Sequence, residues 1–279
     1  MSRAPSEPNL IGVRRTAQLL ERHGIVPRKR LGQNFIIDPN TIRMIVDRAR
    51  IDSGDRVLEI GAGAGALTVA LAGEARHVTA VEIDDRLAPV LHEVVGGLEN
   101  VDVLIGDALA VDLSSSNATR MMGNLPYSVA TDVILRVLQE VPRVRDLTVM
   151  VQKEVGERLT ARPGDKQYGK TCLHVRYFAQ SGVVGRASRR AFLPVPHVDS
   201  VVVRLERRSQ PPDVAGDRFL TIVQAAFSQR RKTMRNALIS AKFDGRDVEA
   251  ALASAGIEAA TRPQDVGFEQ FIEVAGRLT

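Results

Sequence analysis

The stretch Val57-Leu58-Glu59-Ile60-Gly61-Ala62-Gly63-Ala64-Gly65-Ala66 decides the fold. A short buried strand runs into glycines at alternate positions, and an apolar helix follows, expected over about 65–72. Glycines at such a corner let the backbone turn tightly and approach a ligand with no Cβ in the way. Gly61, Gly63 and Ala66 also satisfy G-x-G-x-x-[GA], so the loop alone leaves several nucleotide-bearing ligands open.

Outward from this loop, strand and helix alternate. Strands are expected at 57–60, 78–83, 101–105, 119–124 and 147–151, with helices near 65–72, 86–95, 131–139 and 153–160. That alternation specifies an α/β architecture with a doubly wound, mostly parallel sheet. Upstream, Thr16 to His23 forms a helix stopped by Gly24, and Asp38-Pro39 opens another that reaches about Arg50. Downstream, 168–179 reads as helix and 198–205 as a late strand. The composition then shifts at Arg207-Arg208-Ser209-Gln210-Pro211-Pro212-Asp213, a polar, proline-rich linker. Beyond it, helices are expected at about 217–229, 233–241, 246–255 and 264–277. The expected domains are a tail and helix at 1–27, an α/β domain at 28–208 and a small all-helical domain at 209–279.

Composition narrows the function classes. With 44% hydrophobic and 25% charged residues across 279, the chain has an ordinary globular balance. No run approaches the roughly 18 apolar residues of a membrane span, and residues 1–9 lack a signal-peptide core, so a cytosolic protein is expected. One cysteine, Cys172, excludes a disulfide framework and a multi-cysteine metal site; no metal is expected. The net charge of +5 is modest, but the cations gather in four groups. They are Arg28-Lys29-Arg30; Arg186 with Arg189 and Arg190; Arg204, Arg207 and Arg208; and Arg230-Arg231-Lys232 with Arg235. Four such groups favour a phosphate-bearing partner over solvated faces.

The strand ends carry the chemistry. Glu82 ends the second strand, where a carboxylate takes two ribose hydroxyls. Asp107, in Gly106-Asp107-Ala108 after the third, can accept from an adenine amine. Glu59, two residues before the first glycine, suits a sulfonium cation better than a pyrophosphate. Together they favour S-adenosylmethionine over a nicotinamide dinucleotide. The fourth strand closes in Met121-Met122-Gly123-Asn124-Leu125-Pro126-Tyr127. There an amide and an aromatic ring suit a flat base with an exocyclic amine: Asn124 and a main-chain carbonyl near Leu125 hold the amine while Tyr127 stacks. Phe192, in Phe192-Leu193-Pro194-Val195-Pro196, can supply the opposite face.

These residues resemble the ribosomal RNA adenine dimethyltransferase family, and within it the bacterial branch that acts on 16S rRNA. The matching stretches are Leu31-Gly32-Gln33-Asn34-Phe35, Glu59 to Gly65, Val81-Glu82-Ile83-Asp84, Gly106-Asp107-Ala108 and Asn124-Leu125-Pro126-Tyr127. Further on come Gln152-Lys153-Glu154-Val155, Phe192 through Val198-Asp199-Ser200-Val201, and Phe227 with the arginine-rich segment to Asn236. The resemblance implies a Rossmann-like class I methyltransferase domain followed by a small helical RNA-binding domain. It implies methyl transfer from S-adenosylmethionine to N6 of two adjacent adenosines near the 3′ end of 16S rRNA, during small-subunit maturation. Asn34 and the backbone at Ile36 would close over the methionine part of the cofactor; Gly61 and Gly63 would lie against it, beside Asn124. Glu82 would hold the ribose and Asp107 the adenine. Asn124, Leu125, Tyr127 and Phe192 would form the acceptor site. Arg189, Arg190, Arg230, Arg231, Lys232 and Arg235 would contact RNA in the immature 30S subunit, and a monomer is expected. Ala62, Ala64 and Ile36 depart from bulkier or different residues usual in the family, which bears on affinity and leaves the reaction assignment intact. Three alternatives stay open: a 23S rRNA methyltransferase of the macrolide-resistance type, a non-catalytic RNA-binding assembly factor, and a dinucleotide oxidoreductase.

Overall fold

The computed structural model describes residues 12–126, 128–229 and 231–278, so Tyr127 and Arg230, both given roles above, lie outside the described residues. The chain divides into two compact units, Met1–Gly156 with Gly182–Arg207, and Glu157–Ser181 with Arg208–Thr279.

The first unit begins with α1 (Val13–Arg22), β1 (Phe35–Ile36) and α2 (Pro39–Ala49). Alternation follows: β2 (Arg56–Ile60), α3 (Ala66–Glu74), β3 (His77–Glu82), α4 (Ala88–Val95), β4 (Val101–Ile105), β5 (Arg120–Asn124), α5 (Ala130–Glu140) and β6 (Asp146–Gln152). The chain passes to the second unit within α6 (Lys153–Thr160), continues through α7 (Lys170–Phe178), and returns along β7 (Ala179–Ala187) to β8 (Phe192–Leu193) and β9 (Ser200–Arg207).

Strand order in the seven-stranded sheet is β4-β3-β2-β5-β6-β9-β7, while β1 and β8 pair separately. The first five strands in that order run parallel, and β9 lies antiparallel on β6. From β2 the chain winds outward through β3 and β4, then crosses back to β5 and β6. The order therefore reverses between β2 and β5, and an α/β sheet opens a crevice at the carboxyl ends of the strands where that happens. Register fixes the outcome: Glu59 sits opposite Met122, so the glycine loop after β2 and Asn124 at the end of β5 emerge side by side.

Local chemistry supports these elements. Asp38 caps α2 by accepting from the Asn40 and Thr41 amides, with Pro39 at the first helical position, and Ile42, Ile45 and Ala49 face the core. A charged ladder ties the amino ends of the strands: Arg120 donates to Asp55 at 3.0 Å, and Arg204 to Asp146 at 2.7 Å. Arg207 donates to the Val144 carbonyl at 2.7 Å and to the Leu138 carbonyl at 2.9 Å, the second one of the orphan carbonyls that end α5.

The second unit is helical. With α7 it contains α8 (Gly216–Ala226), α9 (Met234–Ser240), α10 (Gly245–Ser254) and α11 (Phe268–Arg277). Its core gathers Tyr168, Tyr177, Phe219, Leu238, Leu252 and Phe271, with Tyr177 and Phe219 stacked at 5.3 Å. Thr233 and Asp244 cap α9 and α10 through their side chains. Cys172 is buried in α7.

The architecture is the expected α/β sheet with a helical C-terminal region, but three local readings change. The helix expected at 168–179 ends at Phe178, and the next residue opens β7, which the sequence reading did not anticipate. The unit boundary also differs from the expected one, because Glu157–Ser181 groups with the C-terminal helices rather than with the sheet. Finally, Arg204 and Arg207 are committed to the ion pair and helix end just described. Arg208 likewise donates to the Arg176 carbonyl at 2.7 Å and lies 4.7 Å from the centre of the Phe268 ring. That group of cations holds structure together and is not a phosphate surface.

Candidate active site

The crevice at the reversal of strand order is a cleft with about 760 Å³ of open space, mouth included. One wall is the N-terminal segment Leu31 to Phe35; the floor is Ile60, Gly61 and Gly63; Glu82 and Asp107 stand on one side, Asn124 and Leu125 on the other. A smaller annex continues past Asn34 and Ile36 to Glu59.

The glycines are required by geometry. Gly61 has φ +80°, and a Cβ there would stand 3.1 Å from the Asn124 carbonyl oxygen. Gly63 has φ +58°, and its Cβ would meet the Phe35 ring at 3.1 Å. The freed Gly63 amide donates to Glu82 Oε2 at 2.8 Å, while the Asp84 amide donates to Oε1 at 2.9 Å. Burial pushes the Glu82 carboxyl above its ordinary range against the pull of these two amides. Each oxygen keeps a lone pair for a hydroxyl in the cleft. Asp107 Oδ1 accepts from the Leu109 amide at 2.8 Å, so the residue caps its turn and lines the cleft at once.

Glu59 is the anomaly. It is 1% exposed, and neither of its oxygens has a hydrogen-bond partner. Burial pushes its pKa up to about 8; the nearby Thr68 hydroxyl tempers the shift, and the Glu82 charge adds to it. A buried carboxyl with no donor is costly unless a ligand supplies one. An orphan carboxyl beside a cradle that any Cβ would fill fits a cationic ligand, and S-adenosylmethionine carries both a sulfonium and an ammonium.

Asn124 is held in one orientation. Its Nδ2 donates to the Asn34 main-chain carbonyl at 2.8 Å. A carbonyl can only accept, so the nitrogen is fixed there and Oδ1 is left as an acceptor at the cleft. The Asn34 side chain in turn donates to the Gly32 carbonyl at 2.9 Å. Leu125 is 1% exposed, and its amide donates to the Met150 carbonyl at 3.0 Å.

Not every expected residue reaches the cleft. Phe192 is 1% exposed and packed in the core of the first unit, because β8 pairs with β1 and sets it opposite Ile36. It therefore presents no open face for a base, contrary to the expectation above. Arg189 braces its own loop, donating to the His197 carbonyl at 3.2 Å and, through its amide, to Asp199 at 3.3 Å. In the second unit Arg235 pairs with Glu249 and Lys232 with Ser240, while Arg231 is exposed. The sequence reading missed the role of Gln33 and Asp84, which it quoted only as parts of motifs. Gln33 Nε2 donates to Asp84 Oδ2 at 2.8 Å across 51 positions, a pairing that no local spacing discloses. Among the described residues no group of His, Cys, Asp and Glu could hold a metal ion, and no helix is long and apolar enough to cross a membrane.

Comparison with known proteins agrees with this geometry. The chain is 44% identical over 270 residues to the ribosomal RNA small subunit methyltransferase A of Thermobifida fusca, covering 94% of this chain and 93% of that one. It is 41% identical over 278 residues to the same-named protein of Moorella thermoacetica, covering 95% and 96%. Among solved structures, the 23S rRNA methyltransferase ErmE aligns with a TM-score of 0.72 at 30% identity, covering 88% of this chain and 99% of that one. A Plasmodium falciparum dimethyladenosine transferase aligns with a TM-score of 0.75 at 24% identity, again over 88% and 99%, which speaks for the fold alone. The family model described as ribosomal RNA adenine dimethylase matches residues 26–279. Matched from the cleft wall to the last helix, the chain belongs to the ribosomal RNA adenine dimethylase family, which consists of methyltransferases.

Proposed function

We propose that this protein transfers methyl groups from S-adenosylmethionine to N6 of two adjacent adenosines near the 3′ end of 16S rRNA, acting as a monomer on the immature small subunit. The observation that carries the reading is the fixed amide of Asn124, with its oxygen free at a cleft whose other walls are Gly61, Glu82 and Asp107.

The bound donor supplies an electrophilic methyl group; everything else falls to this chain. An exocyclic amine is a poor nucleophile because its lone pair is delocalised into the ring. Asn124 Oδ1 accepts one N–H and the Leu125 carbonyl the other, which turns the lone pair out of conjugation and toward the methyl. The amine nitrogen would take the methyl in exchange for its bond to the donor, and the methylated amine would shed a proton to water. No strong base is needed, and the gain lies in positioning and electrostatics. Glu82 would take the ribose hydroxyls, Asp107 the adenine, and the Asn34–Ile36 backbone would cover the methionine end, where Glu59 would answer its positive charge. Tyr127 supplies the stacking face for the acceptor base.

Small-subunit RNA is favoured over 23S rRNA because the relatives named for the small subunit are more similar in sequence than the 23S enzyme. A non-catalytic scaffold would have no use for an oriented Asn124 or an orphan Glu59. Asn124→Ala separates these readings. Single-turnover methylation should fall on the order of 10²- to 10³-fold, as when one positioned polar group is removed from a reacting centre, while RNA binding by filter retention stays within about two-fold. A normal methylation rate in that variant would end the mechanism.

A further inference from the structure

The segment from Arg28 to Asn34 is held against the cleft by a residue that has no place in the reaction described above. Asp84 follows the ribose-binding strand end, and its side chain is fully enclosed. Three donors converge on it. Gln33 Nε2 reaches Oδ2 at 2.8 Å, Arg86 reaches the two oxygens at 2.9 and 2.6 Å, and Arg28 Nη1 stands 3.4 Å from Oδ1. Gln33 completes a closed loop, since its Oε1 accepts from the Arg28 amide at 2.7 Å.

Charge balance alone does not account for this arrangement. Arg86 lies two residues away, makes two bonds and compensates the carboxylate by itself; the Gln33 amide adds no charge. What Gln33 adds is direction. It fixes a segment more than fifty positions distant in sequence, and that segment is the cleft wall, Leu31 to Phe35. Next to Gln33 in that wall is the Asn34 carbonyl, the atom that holds Asn124 Nδ2. The Asp84 amide meanwhile binds Glu82.

We propose that Asp84 is a positioning residue which, by clamping Gln33, sets both the cofactor wall and the orientation of the acceptor-site amide. Loss of the clamp frees the Asn34 carbonyl, and Asn124 can then turn its nitrogen toward the incoming amine, which accepts no bond from it. One device thus couples cofactor affinity to acceptor geometry. The inference rests on the proposed function for its kinetic consequences and on geometry alone for the clamp.

The test uses the full chain with Gln33→Leu, Gln33→Glu, Asp84→Asn and the exchange Gln33→Glu/Asp84→Asn. Gln33→Leu removes the clamp while leaving the Asp84–Arg86 pair, so it remains informative if Asp84→Asn fails to fold. In the exchange, a glutamate at 33 accepts from both the Arg28 amide and the new amide at 84, restoring the two bonds of Gln33, while Arg86 keeps its Nε bond to Oδ1 and loses its Nη2 bond, as it also does in Asp84→Asn. A charge-assisted bond of this kind, once lost, corresponds to about ten-fold weaker S-adenosylmethionine binding. The single variants should show that loss by calorimetry and a similar drop in methylation rate at saturating cofactor. The exchange should bind and methylate better than either of its parents, so the effects should be non-additive. Tryptic cleavage after Arg28 to Arg30 should accelerate in the single variants and slow again in the exchange. Gln33→Leu matching wild type in all three readouts, or an exchange no better than its parents, overturns the clamp. If wild type itself fails to bind S-adenosylmethionine the functional reading falls, and the cleavage rates still decide the clamp.

Discussion

Replacing Glu59 with glutamine is the perturbation whose magnitude follows most directly from the structure. The carboxyl is 1% exposed, has no donor to either oxygen, and has its pKa pushed by burial from 4.5 up to about 8. The folded protein therefore holds a proton that the unfolded chain releases near its ordinary value. Between about pH 4.5 and pH 8 the unfolded state binds fewer protons than the folded one, so this group makes stability fall as pH rises. Below that window the carboxyl is neutral in both states and costs nothing; above it the full cost is present. At about 1.4 kcal/mol per unit, the interval sets a ceiling of about 5 kcal/mol, and water entry and local relaxation reduce the measurable part to about 2 kcal/mol. Glutamine has the shape of the neutral acid and does not titrate. Urea unfolding of both proteins at pH 5, 6, 7 and 8 at constant ionic strength should show Glu59→Gln gaining on wild type by about 2 kcal/mol across that range. The cofactor should reverse the preference. A cation in the annex lowers the Glu59 pKa, so wild type should release a proton on binding S-adenosylmethionine at pH 7, and the variant should release less. Calorimetry in buffers of different ionisation enthalpy reads that difference. Stability curves that run parallel, together with equal proton release, would refute the reasoning.

Three further outcomes follow from the geometry. Gly61→Ala places a Cβ 3.1 Å from the Asn124 carbonyl at φ +80°; it should cost about 1–2 kcal/mol in stability and weaken S-adenosylmethionine binding at least about ten-fold by calorimetry. Arg207→Met removes the donors that end α5; by losing bonds to a charged group it should lower stability by about 1.5–3 kcal/mol in thermal unfolding, while methylation kinetics well below the midpoint stay unchanged. Leu125→Pro removes the amide bond to Met150 and reshapes the wall that must accept an amine already carrying one methyl. Nucleoside analysis of its product should show monomethyladenosine accumulating, and a mainly dimethylated product would dismiss that role for Leu125.

Much of this was legible from residues because the glycine loop and the strand ends are local signals. Alternating elements predict a doubly wound sheet with ligand-facing strand ends, whereas the neighbourhood of β2 and β5, which brings Gly61 beside Asn124, comes from the sheet order and register. The strand β7 was hidden for a physical reason. It follows α7 with no turn residue between Phe178 and Ala179, and its two glycines, serine and arginine give it no apolar alternation. The Arg204–Arg208 group looked like a phosphate surface because charge clusters in sequence say nothing of their partners. In the fold, Asp146 and the end of α5 consume two of those cations. Phe192 is expected from its motif to supply a second stacking face, yet pairing of β8 with β1 turns it into the core. Asp84 and Gln33 were quoted as motif letters only. Their bond spans 51 positions, and what it holds became visible once the segment it anchors was seen to end on Asn124.

The central claim is the acceptor atom. Incubating the protein with methyl-labelled S-adenosylmethionine and immature 30S particles, then mapping the labelled nucleotides, tests it most directly. The account predicts label on N6 of two adjacent adenosines near the 3′ end of 16S rRNA, as the dimethyl product, with the signal lost in Asn124→Ala. Label on any other atom, transfer to 23S rRNA in preference to the 30S particle, or no transfer at all would contradict it.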